Sequence, residues 1–499
     1  MPAIAALSPE ILAKYQPVIG LEVHVQLLTA TKNFCGCKNE YGGEPNTHTC
    51  PVCLGLPGAL PVLNRDSVEK AVLAATAIGC RINQISIFSR KNYFYPDSPK
   101  GYQISQFDKP LAEFGEITVT DANGAPKRIG ITRLHLEEDA GKSLHDGFAD
   151  SGTRTYIDLN RCGTPLIEIV SEPDIRTPDE AFEYLTKLKE ILLYTGVSDC
   201  NMEEGSLRCD ANVSVMLKSD WEARGEAAFG TKAEVKNVNS FRYIRAALEY
   251  EIERQIGVIE DGGRVVQESR LWNNAEGRTF SMRSKEQAHD YRYFPEPDLP
   301  PLVVGDAWKQ AILAAMPELP EARRTRLIAD YGLSTQDAAT IAADREFADR
   351  FELAAKLAKS PRRVAAILLS EITARLRAAN LEFGQSPVTL DGVVLAADLT
   401  EAGEISSKQL KQLLDTCFAE GQDFAFIYNR DKPQQISDTS AIEGMIDQVI
   451  AANPSQLAQF KGGKRTVSAF FVGQVMKLSK GQANPALLNE LVVKKLDAA

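Results

Sequence analysis

Glu22 and His24 stand two residues apart in the run Val18-Ile19-Gly20-Leu21-Glu22-Val23-His24-Val25. In an extended strand alternate side chains share a face, so the carboxylate and the imidazole point one way while Leu21, Val23 and Val25 point the other. Such a pair could ligate a divalent ion, or it could lie on a solvated sheet face. A second cluster, His135-Leu136-Glu137-Glu138-Asp139, puts three consecutive acids at the end of an alternating strand. That is oxygen-rich chemistry suited to magnesium, with room for phosphate oxygens. A third, from Met202 to Asn212, interleaves acids, Arg208 and amides, a mixture fit for a charged substrate rather than for packing. In a fourth, from Ala233 to Phe241, Glu234 and Lys236 share a face. Each cluster alone is a weak signal, but their concentration in one region points to a site for charged ligands.

Cys35, Cys37, Cys50 and Cys53 read C-x-C, twelve residues, C-x-x-C. Two close thiolate pairs on opposed knuckles suit tetrahedral zinc, and four thiolates leave no open position, so the metal would be structural. An iron–sulfur centre, a redox pair and unligated thiols are the alternatives. Cys80, Cys162, Cys200, Cys209 and Cys417 are scattered and read as small buried hydrophobes. No Walker A loop is present: the nearest approach, GEAAFGTK from Gly225 to Lys232, lacks the Lys-Ser/Thr order. There is no G-x-S-x-G elbow, and no cysteine has an obvious histidine partner.

The elements that must position these groups differ along the chain. Up to about residue 296, short apolar alternations broken by Gly, Pro and Asn read as strands of a large mixed α+β domain. RYFPEPDLPPL, Arg292 to Leu302, is a proline-rich boundary. Beyond it the periodicity is helical: Asp306 to Met316, Glu321 to Tyr331 with Gly332 as a stop, and a run opened by Ser360 as N-cap with Pro361 and ending at Asn380. Glu404 to Ala419 resumes the pattern, and Val467 to Leu496 reads as two helices split around Gly481–Pro485. The expected divisions are 1–296, 297–405 and 406–499. With 499 residues, 56 Lys/Arg, 67 Asp/Glu and a net charge of −11, the chain is not one that coats nucleic acid through bulk charge. From Ser455 onward, however, seven basic residues face two acids, so this tail is either a polyanion contact or a solvated helix face. No apolar run approaches the ~18 residues of a membrane span. The first residues lack a signal or transit pattern, so a cytoplasmic location is expected, with an organellar matrix or stroma still open.

The strings VIGLEVHVQL, TCPVCLGLPGALPVLN, SRKNYFYPDSPKGYQISQ, HLEEDAGK, DLNRCGTPLIEIVSEPD, MEEGSLRCDANVS, EVKNVNSF and DYRYFPEPDLPPL resemble the B-subunit family of the bacterial and organellar glutamyl/aspartyl-tRNA amidotransferases, GatCAB. FFVGQVMKLSKGQANP is similar to the same family, in a region like YqeY-type proteins. The resemblance runs from about residue 17 to 496. It implies an α+β cradle domain, a helical domain and a small helical YqeY-like tail. It also implies an activity: ATP-dependent phosphorylation of the side-chain carboxylate of Glu-tRNA(Gln) or Asp-tRNA(Asn), then amidation by ammonia from the A-subunit amidase, with the C subunit completing a heterotrimer. Neither a membrane nor DNA is an expected partner. By the resemblance, Glu22, His24, Glu137 and Glu234 fall where magnesium is held. Lys91, Lys100, Arg208 and Lys236 fall where ATP phosphates or the substrate carboxylate are met, and Tyr93, Tyr95, Tyr102 and Gln103 where the acceptor end is lined. Lys461, Lys464, Arg465, Lys477 and Lys480, with Lys494 and Lys495, would contact the tRNA body. The rival from another class is a zinc-stabilised tRNA-binding scaffold without its own catalysis.

Overall fold

The computed structural model describes residues 8–225, 229–282, 290–431, 438–479 and 482–498. It divides into two compact units, 1–319 and 320–499.

The first unit is built on a nine-stranded sheet. In chain order its strands are β1 (Tyr15–Gln26), β2 (Arg81–Ile82), β3 (Ala112–Thr120), β4 (Pro126–Glu138), β5 (Pro165–Ser171), β6 (Leu207–Leu217), β7 (Ala233–Lys236), β8 (Glu268–Asn273) and β9 (Arg278–Ser281). They lie side by side as β9-β8-β7-β6-β1-β5-β4-β3-β2. All neighbours are antiparallel except β7 and β8. The central strands alternate as the sequence pattern predicts. Val23, Val25, Leu134, Leu136, Ile167, Ile169 and Val213 are buried on one face. That face packs on three helices: α1 (Arg65–Ala77), α2 (Pro178–Thr195) and α3 (Phe241–Glu260). Burying each such side chain contributes about 1.5–3 kcal/mol.

Local chemistry sets the helix limits. Asn64, Thr177 and Ser240 accept hydrogen bonds from first-turn amides, and α2 begins at Pro178 and ends at Gly196 in the left-handed conformation. With one face of the sheet covered by helices, the other is free to carry polar groups. A smaller sheet of Phe88–Asn92, Tyr102–Gln106 and Phe294–Pro295 stands beside it.

The boundary expected at 296 falls short of the end of this unit. The helix Asp306–Leu313 packs on α1, where Trp308 Nε1 donates to Glu69 (2.8 Å) and Arg65 lies over the indole. Residues 297–319 therefore belong to the first unit. The second unit is helical throughout its described residues. One core runs from Leu327 to Ile427 and another from Ile442 to Leu496, so the break expected at 405 falls inside a core that includes Ile405, Leu410 and Leu414. The run expected from Ser360 to Asn380 is helical, but a π-helical stretch at Ile367–Ile372 interrupts it, and Asn380 closes it in the left-handed conformation. Ser360 occupies the N-cap position without a side-chain capping bond.

Candidate active site

The polar face of the sheet gathers the titratable groups by register. On β1, His24 lies opposite Glu168 of β5 on one side and Arg208 of β6 on the other. Glu168 in turn lies opposite His135 of β4, and Glu22 opposite Asp210 of β6. Four adjacent strands thus deliver side chains to one patch. His24 Nε2 stands 3.3 Å from Glu168 and 3.7 Å from Glu22. His135 Nε2 stands 3.5 Å from Glu168 and 3.2 Å from Glu137. Glu137 also accepts from Ser105 Oγ (2.5 Å) and Gln103 Nε2 (2.9 Å), and Lys91 Nζ lies 4.0 Å away.

The electrostatics follow from this crowding. Burial, then the charge of Glu168, pushes the Glu22 carboxyl above its ordinary value. Burial works against ionisation of Glu137 as well, but Lys91 beside it holds its carboxyl below the usual range. His24 is opposed by burial too, yet the hydrogen bond and charge of Glu168 raise it. Glu22, His24 and Glu168 offer ligand atoms within 4.8 Å of one another, and so do His135, Glu137 and Glu168. Carboxylate oxygens in that number, with imidazole nitrogen, form a donor set that fits a divalent cation.

The consecutive acids of β4 and its end diverge. Glu137 faces the cluster. Glu138 pairs with Lys100 and accepts from the amide of Ile104. Asp139 receives Arg208 Nη2 and Gln26 Nε2, each at 2.8 Å, with Arg161 at 3.8 Å. Arg208 Nε is buried without a partner among the described residues. Lys236 Nζ bonds Asp210 (2.7 Å) and Glu234 (2.9 Å), and Ser269 Oγ donates to Glu234 (2.7 Å).

Of the residues singled out in the sequence, Glu22, His24, Glu137 and Lys91 therefore meet in one patch. Arg208 and Lys236 flank it, held by Asp139 and Asp210. Glu234 is not part of the cluster: it lies beyond β6 from Glu22, engaged with Ser269 and Lys236. Lys100 turns toward Glu138, Phe34 and Tyr102. Glu168 is the residue that sequence reasoning passed over. The available signal was a lone carboxylate in the apolar run Pro165-Leu166-Ile167-Glu168-Ile169-Val170. Like Glu168 in DLNRCGTPLIEIVSEPD, His135, Asp139 and Asp210 lie within the strings that carry the resemblance, but their partners depend on strand register.

Cys35, Cys37, Cys50 and Cys53 bring their Sγ atoms within 4.8 Å of one another, with Cys50 and Cys53 at 3.9 Å. A tetrahedron with ~2.3 Å metal–sulfur bonds has edges of about 3.8 Å, so the four thiols fit zinc. The Cys53 thiol is pushed down to about 5, chiefly by the hydrogen bond from Cys35, then by the Cys50 amide and nearby Lys32. The knuckle braces the site. Asn33 Nδ2 donates to the Glu137 carbonyl (3.0 Å), and its own amide to Gly163 (2.7 Å). Cys80, Cys162, Cys200, Cys209 and Cys417 are all buried. In the tail, Lys461, Lys464, Arg465 and Lys477 are exposed, Arg465 pairing with Asp497. Lys480 and Gly481 lie outside the described residues.

Residues 17–310 match the family described as the GatB/GatE catalytic domain, and 349–496 the GatB domain of YqeY type. The sheet and its acidic face are thus those of a GatB/GatE-type catalytic domain. The B subunit of the aspartyl/glutamyl-tRNA(Asn/Gln) amidotransferase of Carboxydothermus hydrogenoformans is 51% identical over 97% of this chain and 99% of its own length. That of Geotalea uraniireducens is 52% identical over 97% of this chain and 100% of its own. The chain belongs to the family of aspartyl/glutamyl-tRNA amidotransferase B subunits.

Proposed function

We propose that this chain activates the side-chain carboxylate of Glu-tRNA(Gln) or Asp-tRNA(Asn) with ATP and presents the product to ammonia. An oxygen of that carboxylate attacks the γ-phosphorus, the bond to the bridging oxygen breaks, and ADP leaves. Ammonia nitrogen then attacks the acyl carbon, the bond to the phosphate oxygen breaks, and the amide forms with loss of a proton and phosphate. Two anions must approach each other, so the field has to be neutralised from the protein side. The observation that carries the reading is the convergence of Glu22, His24, Glu137 and Glu168 beside Lys91 on the polar face of a sheet otherwise packed as core.

Glu22, His24 and Glu168, with Glu137 behind them, would hold magnesium, which when bound offsets the charge of the polyphosphate. Lys91 stands at the edge of the cluster and meets incoming phosphate or carboxylate. Arg208, fixed through Nη2 by Asp139, turns the exposed part of its guanidinium to a substrate oxygen. Lys236 is oriented by Asp210 and Glu234, which gives Glu234 a positioning role. Zinc in the four-cysteine knuckle supports the strand that carries Glu137 and takes no part in the reaction. The relatives' names describe one component of a larger enzyme, which supports partner subunits; in this reading they are the A-subunit amidase that supplies ammonia and the C subunit, in the cytoplasm. The exposed cations of the tail contact the tRNA body.

The test uses the assembled complex with every ammonia donor withheld. ADP formation should require magnesium and the charged tRNA, with uncharged tRNA inactive. ADP release independent of the aminoacyl group would overturn the assignment.

A further inference from the structure

His135 lies inside the acidic cluster, yet the chemistry above gives it no part. On β4 it alternates with Arg133 and Glu137, so these three side chains emerge on the polar face while Leu134 and Leu136 point into the core. The two nitrogens of its ring meet different partners. Nε2 stands 3.2 Å from Glu137 and 3.5 Å from Glu168. At Nδ1 the partner is Arg133, whose Nε donates to it across 3.4 Å. A guanidinium has donors only, so Nδ1 must accept, and the ring proton sits on Nε2. That proton faces both carboxylates. A protonated nitrogen has no lone pair for a cation, and the lone pair of Nδ1 is already taken. His24 stands apart in both respects. Among the described residues no cation donates to its ring, and its side chain is 18% exposed against 3% for His135. The groups around His135 are themselves fixed: Glu137 accepts from Ser105 and Gln103, and the other oxygen of Glu168 lies 3.7 Å from Arg133.

We propose that His135 is a positioning residue: held by Arg133 with its proton on Nε2, it bridges Glu137 and Glu168 and sets both carboxylates for the divalent cation without ligating that cation itself. The proposal rests on the function argued above, since it names what orients the ligands of that site. Nearness alone would make His135 a ligand alongside Glu137 and Glu168. For Nε2 to ligate, however, its proton would have to move to Nδ1, where it would meet the N–H of Arg133 head-on. Strand register brings the two carboxylates together but leaves their side-chain torsions free, and like charges turn away from each other. An N–H shared between them removes that freedom before any cation arrives. Hydrogen bonds made behind the ligands of a metal are worth about ten- to a hundredfold in its affinity.

The experiment uses the full complex with Mn²⁺ as the probe cation, followed by electron paramagnetic resonance in the absence of nucleotide and tRNA. Bound manganese should show the nitrogen coupling of a directly ligated imidazole. His135→Gln carries an amide donor to the place of Nε2, so the coupling should keep its full depth and the manganese Kd should stay within about twofold. His135→Asn still accepts from Arg133 but cannot reach the carboxylates. There the coupling should persist while the Kd rises about tenfold, with circular dichroism unchanged. Reduced or lost coupling in His135→Gln makes His135 a ligand and overturns the proposal. So does an unchanged Kd in His135→Asn, or a Kd raised equally in both variants. A complex that passes these binding tests but forms no ADP with charged tRNA keeps the bridge and overturns the parent reading. ADP formation that requires charged tRNA, with the Kd unmoved in His135→Asn, does the reverse.

Discussion

Glu168 shows how a single side chain gains its role from register. It is buried between His24 and His135, and both lean on its charge, which the imidazole of His135 helps keep ionised against burial. Glu168→Gln keeps the shape and removes the charge. Charged-tRNA-dependent ADP formation should fall roughly a hundredfold, with the magnesium requirement shifted upward and the fold intact by circular dichroism. Retained turnover at ordinary magnesium would remove Glu168 from the site. The companion residues were readable without a structure, because a period of two places Glu22 and His24 on one face whatever their neighbours. Glu168 was not, since its meaning lies in which residues of β1 and β4 stand opposite. The same holds for Asp210, whose value to the site is its bond to Lys236.

Two elements carry predictions of their own. The knuckle should hold about one zinc per chain. Cys50→Ser with Cys53→Ser should lose that metal and lower the thermal midpoint of the full chain, because Asn33 would no longer be fixed against Glu137. A metal-free wild-type chain with the same midpoint would contradict it. In the second unit, Arg323 and Arg326 of the helix Pro320–Tyr331 converge on Glu352 of the helix Arg345–Leu357. Burial opposes the Glu352 carboxylate, but the hydrogen bond from Arg326 and the charge of Arg323 hold it below the ordinary value. A depressed carboxyl stabilises the fold above its unfolded value, about 4.3, and that contribution is lost as pH falls through the folded value. Glu352→Gln should therefore cost about 1 kcal/mol near neutrality, since solvent reaches Arg326 and Asp349 of the same network, and flatten the acid side of the melting profile. An unchanged acid limb would show that the network is not what acid breaks. One helix stop in this unit was legible from its cap: Gly332, in the left-handed conformation, follows the helix Pro320–Tyr331. The π-helical turn at Ile367–Ile372 was not, since its residues are ordinary helix formers.

At the scale of the whole chain, the expected divisions at 296 and 405 differ from the unit boundary at 319 and from the core that spans 405, for one reason. A boundary is set by which core a helix joins, and Trp308 and Ile405 join cores that linker composition does not announce. The charge asymmetry was legible, because it needs only counting: a chain of net charge −11 ends in a basic segment with exposed Lys461, Lys464 and Lys477. Replacing these three by alanine should weaken tRNA binding by the complex without altering its preference between tRNAs. The slope of log affinity against log salt should flatten by about 3. An unchanged slope would return the tail to a solvated surface. The central claim, phosphorylation of the substrate's side-chain carboxylate, is tested most directly by labelling that carboxylate with heavy oxygen. In the complete reaction with ATP and an ammonia source, one labelled oxygen should appear in the released phosphate for each amide formed. Phosphate free of label, with amide still forming, would contradict the account.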